Sequence, residues 1–434
     1  MDKMADVLGR AGAWCGQNKY LSAIKNAFQN FMPLTIAGAI GVLWCNVLVN
    51  DQTGLGLFFK PIMALDFLNP AFQAVNFCTI SCITVGITLG IAQEIGVWNM
   101  GAERAGYIPG LVGLAAWLSV TNTSHMVEGA KEAFTGIAGN ELGATGLFTG
   151  MIIGVLSVEL FCFFEKQDAL KIKMPEQVPP GVARAFEVLV PATITLIITA
   201  CIGSACYNLT GLYLNDVIKN GIQGPLGAVG ATIPGVMIIY LVIMLFWLVG
   251  IHGNNMLSAV KEALFTPLAL ENVEKFNKGE KPTNIINMYA LQMWGEFGGS
   301  GVTIGLVIAI MIFGKREDNK AIAGLSLVPG LFNINETVTF GIPMVLNPIL
   351  GIPFVFACLV TILVGYVLTV IGFCPVACLT VPWTTPPIVF GFLACGANVM
   401  GAVTQAILIV VSTVIYTPFL ISYEKYQNKQ AAEA

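Results

Sequence analysis

Apolar stretches of about 20 residues recur along the whole chain and restrict what it can fold into more than any other feature. A stretch of this length forms a helix that crosses the hydrocarbon core of a bilayer, whereas a transmembrane barrel would show short alternating strands. The sequence therefore predicts an all-α polytopic membrane protein. Nine such stretches are evident, near residues 31–50, 70–92, 105–121, 143–163, 186–208, 229–251, 298–313, 350–372 and 399–422.

Charged residues are too few for a soluble protein of this size. Asp, Glu, Lys and Arg make up 11% of the 434 residues, against about 25% in soluble globular proteins. This excludes soluble enzymes and secreted disulfide scaffolds, and no basic run is long enough to follow a nucleic-acid backbone. The eleven Cys residues form no CxxC pair. We therefore expect a lipid bilayer as a partner, and neither nucleic acid, nor a metal, nor a cofactor.

The distribution of positive charge predicts the orientation in the membrane. Residues 164–185 hold four basic residues and are amphipathic enough to lie along the interface, and the positive-inside rule places them in the cytoplasm. Lys315, Arg316 and Lys320 follow a later span and are also expected inside. Both expectations hold only if one further crossing lies within residues 253–297. The count is then about ten spans, with both termini in the cytoplasm.

Two apolar segments of the second half are interrupted by Pro and Gly. Residues 323–348 have the sequence AGLSLVPGLFNINETVTFGIPMVLNP, and residues 374–398 have the sequence CPVACLTVPWTTPPIVFGFLACGAN. Unpaired backbone groups at membrane depth cost several kcal/mol each unless protein or water satisfies them. The pattern therefore favours two re-entrant hairpins around a substrate site, with ordinary Pro-kinked helices as the alternative.

The first half of the chain has no comparable broken segment, and this predicts a division into two domains. We expect an N-terminal scaffold that comprises residues 1–163 and continues, after the amphipathic linker 164–185, with the span 186–208. A C-terminal substrate-binding domain follows, over residues 209–434, and contains both broken segments.

Ionisable residues inside apolar stretches mark a candidate site. Glu336, in NINET, has no other charged residue within fifteen positions, and an intramembrane carboxylate is a functional hypothesis by default. Its alternative is a protonated Glu bonded to carbonyls of the hairpin. His252, in GIHGNNM, ends a long apolar stretch. Glu296, in MWGEFGG, is a further candidate, with an interfacial position as its alternative.

Aromatic and amide side chains accompany these groups. Trp294 is close to Glu296 in the sequence, and Trp383 lies in the second broken segment. The face of a Trp ring suits the C–H face of a sugar, whose hydroxyls bond to Glu, Asn and His, although an interfacial belt explains most lone Trp residues. We noted no cationic side chain nearby that would select an anion. The neutral amides are Asn254, Asn255, Asn333 and Asn335.

Four ordered motifs resemble successive signatures of one transporter family. LVGIHGNNM, FGGSGVTIGL, LFNINETVTFGIPMVLNP and VPWTTPP are similar to those of the membrane-embedded IIC component of sugar phosphotransferase systems, of the lactose, cellobiose and diacetylchitobiose type. The resemblance covers nearly the whole chain, beginning with IKNAFQNFMPLTIAGAIG at residues 24–41. One departure is Thr337, which stands where the family usually has Pro after the motif Glu.

The resemblance implies a homodimeric permease of the bacterial cytoplasmic membrane. It implies that the N-terminal half forms the dimer interface and the C-terminal half encloses a β-linked disaccharide. The sugar's C6 hydroxyl would be phosphorylated from the cytoplasm by a separate IIB protein, which IIA supplies. By the same resemblance, the catalytic residues are Glu336 and His252, and the sugar is lined by Trp383, Glu296, the Gly295 backbone and Asn140. Our own reading of the sequence adds Trp294, Asn254 and Asn335.

Physical chemistry agrees with these roles, and two rival functions remain. A hydroxyl that attacks phosphorus benefits from a positioned carboxylate that accepts its proton, which Glu336 supplies and His252 orients. The phosphocysteine of IIB supplies the phosphoryl group, and the chain has no GxxxxGK[ST] motif. One rival is a proton-coupled sugar symporter that uses Glu336 and His252 as a relay. The other is a non-transporting scaffold, which would have no reason to retain a buried Glu336 and two broken segments.

Overall fold

The computed structural model describes residues 10–14, 17–51, 55–125, 134–175, 177–225, 230–342 and 344–433. Helices dominate these residues, and the prediction of an all-α membrane protein is confirmed. The strands in the described part are Ser124–His125 and Phe134–Thr135, which pair antiparallel.

The described residues contain fifteen α-helices of six or more residues. They are α1 (Lys19–Leu43), α2 (Asn69–Asn76), α3 (Ile83–Met100), α4 (Ile108–Val120), α5 (Ala144–Glu165), α6 (Pro180–Thr210), α7 (Ile233–Leu248), α8 (Ser258–Asn277), α9 (Met288–Gly295), α10 (Ile304–Phe313), α11 (Glu317–Leu331), α12 (Glu336–Gly341), α13 (Gly351–Val370), α14 (Val389–Ala394) and α15 (Val399–Glu433). Shorter helical turns, 3-10 segments and π segments join them at Trp44–Leu48, Leu55–Leu57, Lys60–Leu68, Phe77–Ser81, Ala102–Ala105, Gly139–Leu142, Asp168–Leu170, Leu214–Ile218, Lys219–Gln223, Gly253–Met256 and Ser300–Val302.

Each of the nine predicted apolar stretches falls on a helix or on a bent pair of helices. Within the described residues, five helices are long and apolar enough to cross a membrane, namely α1 with its extension to Leu48, α5, α6, α13 and α15. Two bent pairs pass the same test, Lys60–Ser81 with α3 and Met288–Val302 with α10, at angles of 42° and 59°. Helices α4 and α7 are shorter and apolar.

The tenth crossing predicted within residues 253–297 has one counterpart of sufficient length, α8. Its 20 residues span about 30 Å, but the helix carries several charges and is not among the apolar spans. The count of ten spans therefore stays a prediction. Between α5 and α6, the described residues of the predicted interfacial segment, 164–185, contain one 3-10 turn, Asp168–Leu170.

Both predicted interruptions are present in the backbone. In the first broken segment, α11 ends at Leu331 and the short α12 begins at Glu336. In the second, turns and extended backbone precede the six-residue α14. Their re-entrant position in the membrane stays a prediction.

The chain forms two compact units. The described residues within 17–38 and 74–228 form the N-terminal unit, and those within 1–16, 39–73 and 229–434 form the C-terminal unit. The boundary after residue 228 differs from the predicted one after residue 208, and the stretch 39–73 belongs to the C-terminal unit. The roles predicted for the two domains stay predictions.

In the N-terminal unit, α3, α4 and α5 pack closely and an ion-pair cluster closes one end. Trp117 is fully buried in the cluster formed by α4 and α5. Glu165 is also buried and accepts hydrogen bonds from Arg104 Nε and Arg184 Nη1, each at 2.9 Å. Arg184, one of the four basic residues of the predicted cytoplasmic segment, is thereby tied to the end of α5.

In the C-terminal unit, α15 packs against α10 and α13 and is anchored near its end by Glu424. This buried carboxylate accepts hydrogen bonds from the backbone N–H of Lys315 at 2.8 Å and from Asn319 Nδ2 at 3.1 Å. Beside it, the Arg316 guanidinium contacts Asp318 and lowers the pKa of that carboxyl. The second predicted cytoplasmic segment is therefore tied to α15 through Glu424.

Candidate functional site

A glycine-rich turn between α9 and α10 carries the FGGSG motif. Gly299 has φ +86° and Gly301 has φ +75°, backbone conformations that glycine adopts without strain. A Cβ atom at Gly299 would clash with the Asn335 side chain, and one at Gly301 would clash with the Phe354 ring. The two glycines therefore allow the turn to pass directly beside the first broken segment at Asn335 and beside α13 at Phe354.

Asn333 connects this turn to the second broken segment. Its Oδ1 accepts a hydrogen bond from the Gly298 backbone N–H at 2.6 Å, while its Nδ2 donates to the carbonyls of Trp383 and Thr385, the latter at 3.1 Å. Its φ of +63° is one that Asn tolerates better than most residues. One side chain therefore joins three motifs that are far apart in the sequence.

Two further amides converge on Ser300 in the same turn. Asn254 Nδ2 donates to Ser300 Oγ at 3.1 Å, and Asn335 Nδ2 donates to the Ser300 carbonyl at 2.8 Å. Asn335 is buried, whereas Asn254 is half-buried and its Oδ1 atom has no partner among the described residues. Both amides therefore hold the turn, and the Asn254 Oδ1 atom is itself enclosed by the surrounding described residues.

Glu296 lies immediately before the turn and has two partners on one oxygen. Tyr240, on α7, donates its hydroxyl to Oε1 at 2.7 Å. The ammonium of Lys261, on α8, forms an ion pair with the same oxygen. The expectation that no cation lies near the site was therefore wrong. Sequence reasoning overlooked Lys261, although a Lys within the stretch predicted to hold the tenth crossing calls for a carboxylate partner.

His252 and Glu336 lie within electrostatic range of one another. Coulombic interactions link the His252 ring to Glu336, Glu296 and Lys261. The His252 ring packs on Trp247, with centroids 4.4 Å apart, and its Nδ1 accepts a hydrogen bond from the backbone N–H of Asn255 at 3.3 Å. This bond assigns the ring proton to Nε2, which is then a donor. Glu336 is the first residue of α12, and its side chain is exposed, so the expectation of a buried Glu336 was wrong.

The two candidate Trp residues differ in their surroundings. Trp383 is 44% exposed and lies in the segment that Asn333 holds. Trp294 is 1% exposed and packs on Gly365, where a Cβ atom would clash with the indole. Trp383 is thus accessible to a ligand, whereas Trp294 is buried in the core, two residues before Glu296 in the chain.

The remaining predicted residues are Gly295 and Asn140. Gly295 is buried at the end of α9, and its carbonyl accepts a hydrogen bond from Cys358 Sγ at 3.3 Å. Asn140 belongs to the short helix Gly139–Leu142 of the N-terminal unit, and its side chain lies outside the described part of the structure.

The helix that leads into the turn is held in place by an amide cap. Asn287 caps α9, since its Oδ1 accepts hydrogen bonds from the N–H groups of Tyr289 and Ala290, and its Nδ2 donates to the Ala377 carbonyl at 3.1 Å. The start of the second broken segment is therefore tied to the same helix that ends at Glu296. Among the described residues, no three His, Cys, Asp or Glu side chains are grouped to hold a metal.

Comparison with known proteins identifies the family. The chain matches the family described as "Phosphotransferase system, EIIC" over residues 25–358. It is 33% identical to the oligo-beta-mannoside-specific EIIC component of Bacillus subtilis, covering 98% of this chain and 94% of that protein. It is 29% identical to the cellobiose-specific EIIC component of Lactococcus lactis, covering 98% of each.

A solved structure agrees with this assignment. The crystal structure of ChbC, the IIC component from the N,N'-diacetylchitobiose-specific phosphotransferase system, matches with a TM-score of 0.88 at 29% identity over 97% of both chains. The resemblance inferred from the motifs is confirmed. The chain therefore belongs to the EIIC family, the membrane-embedded sugar transporters of the bacterial phosphotransferase system.

Proposed function

We propose that the protein carries a β-linked disaccharide across the cytoplasmic membrane and presents its C6 hydroxyl to a phosphorylated IIB protein on a separate chain. Relatives named for cellobiose and for oligo-β-mannosides, and the diacetylchitobiose transporter ChbC, all act on β-linked sugars. The shared linkage supports this substrate class.

The observation that carries the proposal is the convergence of three motifs on Asn333. Through its hydrogen bonds the exposed Trp383 and the turn that follows Glu296 are held within one site. An exposed indole face and a partly exposed carboxylate in one site suit a sugar ring, because the ring stacks while its hydroxyls donate to the carboxylate. Trp383 and Glu296 are the proposed sugar contacts.

Glu336 and His252 supply the chemistry that phosphoryl transfer needs. As the C6 oxygen attacks phosphorus, its O–P bond forms, the P–S bond of the IIB phosphocysteine breaks, and the hydroxyl proton passes to the Glu336 carboxylate. His252 lies close enough to interact with that carboxylate, and its Nε2 proton suits a hydrogen bond that orients either Glu336 or the hydroxyl. Positioning and proton acceptance are the tasks of this chain.

The remaining predicted residues have supporting roles in this proposal. Trp294, being buried, holds the Gly295 to Glu296 backbone in place, and Asn254 and Asn335 hold the turn.

We also propose that Asn140 contributes from the N-terminal unit and that the protein is a homodimer with both termini in the cytoplasm. The mass of the purified protein in detergent, measured by light scattering, checks the dimer.

The substitution Glu336→Gln tests the phosphorylation step. Proteoliposomes that contain phosphorylated IIB should accumulate the disaccharide 6-phosphate with the parent protein and should form little or none with the variant. Disaccharide binding by the variant, measured by calorimetry, serves as the folding control. Normal formation of the phosphorylated sugar by Glu336→Gln would contradict the proposed role.

A second experiment separates the proposal from its main rival. Uptake into proteoliposomes that lack IIB should not concentrate the sugar, with or without a proton gradient. A proton-coupled symporter would accumulate unmodified disaccharide under the gradient. In a binding screen, cellobiose, lactose and diacetylchitobiose represent the β-linked class and maltose is the α-linked control. Preferential binding of maltose would overturn the proposed substrate class.

A further inference from the structure

Lys261 is the cation of this site and has no role in the proposed chemistry. Its side chain, on α8, is only 7% exposed. Its ammonium contacts Glu296 and lies 5.4 Å from the centroid of the Tyr240 ring. A buried Lys is expensive unless a carboxylate pairs with it. The neighbouring Glu262 bonds instead to Thr266 on its own helix. Lys261 is therefore committed to Glu296.

The pairing leaves one oxygen of Glu296 open. Both Tyr240 and Lys261 contact Oε1, and within the described chain no hydrogen bond is made to Oε2. The Glu296 side chain keeps 19% of its surface exposed. An ionised carboxylate accepts hydrogen bonds and cannot donate one. The open oxygen is thus suited to a hydroxyl or amide N–H of a ligand.

We infer that Lys261 is a positioning and specificity-determining residue, which fixes Glu296 as an ionised acceptor and cancels its charge so that the site takes uncharged sugars. The inference rests on the proposed function, because Glu296 is a sugar contact there. Without Lys261, the negative charges of Glu296 and Glu336 would both be uncompensated. In a site of low dielectric, each would interact strongly with a charge on the ligand. A ligand that carries a positive charge would then be favoured.

The test compares the binding of two β-linked disaccharides that differ in charge. Cellobiose is neutral, and chitobiose, its diamino analogue, carries ammonium groups at slightly acidic pH. Calorimetry on the purified full-length protein gives a dissociation constant for each. In Lys261→Met, the affinity ratio should move towards chitobiose by about tenfold or more, because the ligand ammonium replaces the missing charge.

Matched variants separate charge from packing. Lys261→Arg should keep the parent ratio, since the charge is retained. Lys275→Met makes the same change on the same helix, where the half-buried Lys275 donates to Thr283 Oγ1 at 2.6 Å, and it should also keep the parent ratio. An unchanged ratio in Lys261→Met would overturn the inference, because a merely structural Lys would weaken both ligands equally.

A double variant keeps the test decisive if the buried carboxylate left by Lys261→Met prevents folding. Lys261→Met with Glu296→Gln removes both charges together and should show a ratio within about twofold of the parent. A shift towards chitobiose in this variant would contradict the inference. Failure of the parent protein to bind any of the β-linked disaccharides would instead refute the proposed function.

Discussion

Asn333→Gly should separate the motifs that Asn333 joins and weaken disaccharide binding strongly. The variant loses the three hydrogen bonds to Gly298, Trp383 and Thr385, each worth about 0.5–1.5 kcal/mol net. Glycine adopts the φ of +63° without strain. The expected loss of affinity is therefore due to the missing hydrogen bonds and not to backbone strain.

The share of this loss that reaches binding follows from the geometry. Two of the three bonds hold the segment that carries Trp383. In the variant, binding of the sugar must order this segment without them, which costs about 2 kcal/mol of binding free energy. This corresponds to a dissociation constant about 30-fold weaker. Asn333→Ala should lose about 1 kcal/mol more in stability, because a Cβ atom disfavours the left-handed backbone.

Calorimetric titration with cellobiose and thermal unfolding in detergent measure the two effects. Asn398→Ala is a matched control, since Asn398 is exposed and its side chain caps α15 through the N–H of Met400 at 2.9 Å. It should lower the melting temperature slightly and leave cellobiose affinity unchanged. A parent-like dissociation constant in Asn333→Gly would refute the reasoning that this amide maintains the site.

Three further predictions follow from the site and the fold. Trp383→Ala should lose about 1–3 kcal/mol of sugar affinity, by analogy with aromatic stacking on bases, and an unchanged affinity in calorimetry would return Trp383 to an interfacial role. Glu424→Gln should lose about 2–4 kcal/mol of stability, because hydrogen bonds to a charged group are strong; a lowered melting temperature with unchanged cellobiose binding checks this. In a Cys-free background, Lys166→Cys and Lys320→Cys should react with an impermeant thiol reagent only after the membrane is opened. Labelling of Lys320→Cys in intact cells would remove the inferred tenth crossing.

Two Pro-containing and Gly-containing segments show how far local sequence can predict a backbone. The breaks near Leu331 and before α14 were predictable because Pro lacks a backbone N–H and Gly adopts conformations that end helices. The bent pair formed by Met288–Val302 and α10 was not anticipated as a pair. Its 59° bend depends on how the glycine turn packs against Asn335 and Phe354.

Sequence alone determined that the chain spans a membrane, because each crossing helix must be apolar along its own length and satisfies its hydrogen bonds internally. It also marked Glu336, since a charge within an apolar stretch is visible locally. Only the tertiary structure decided which groups meet. Lys261 and Glu296 are 35 residues apart and Asn333 and Trp383 are 50 apart, and no local pattern reports a contact that depends on how separate helices pack together.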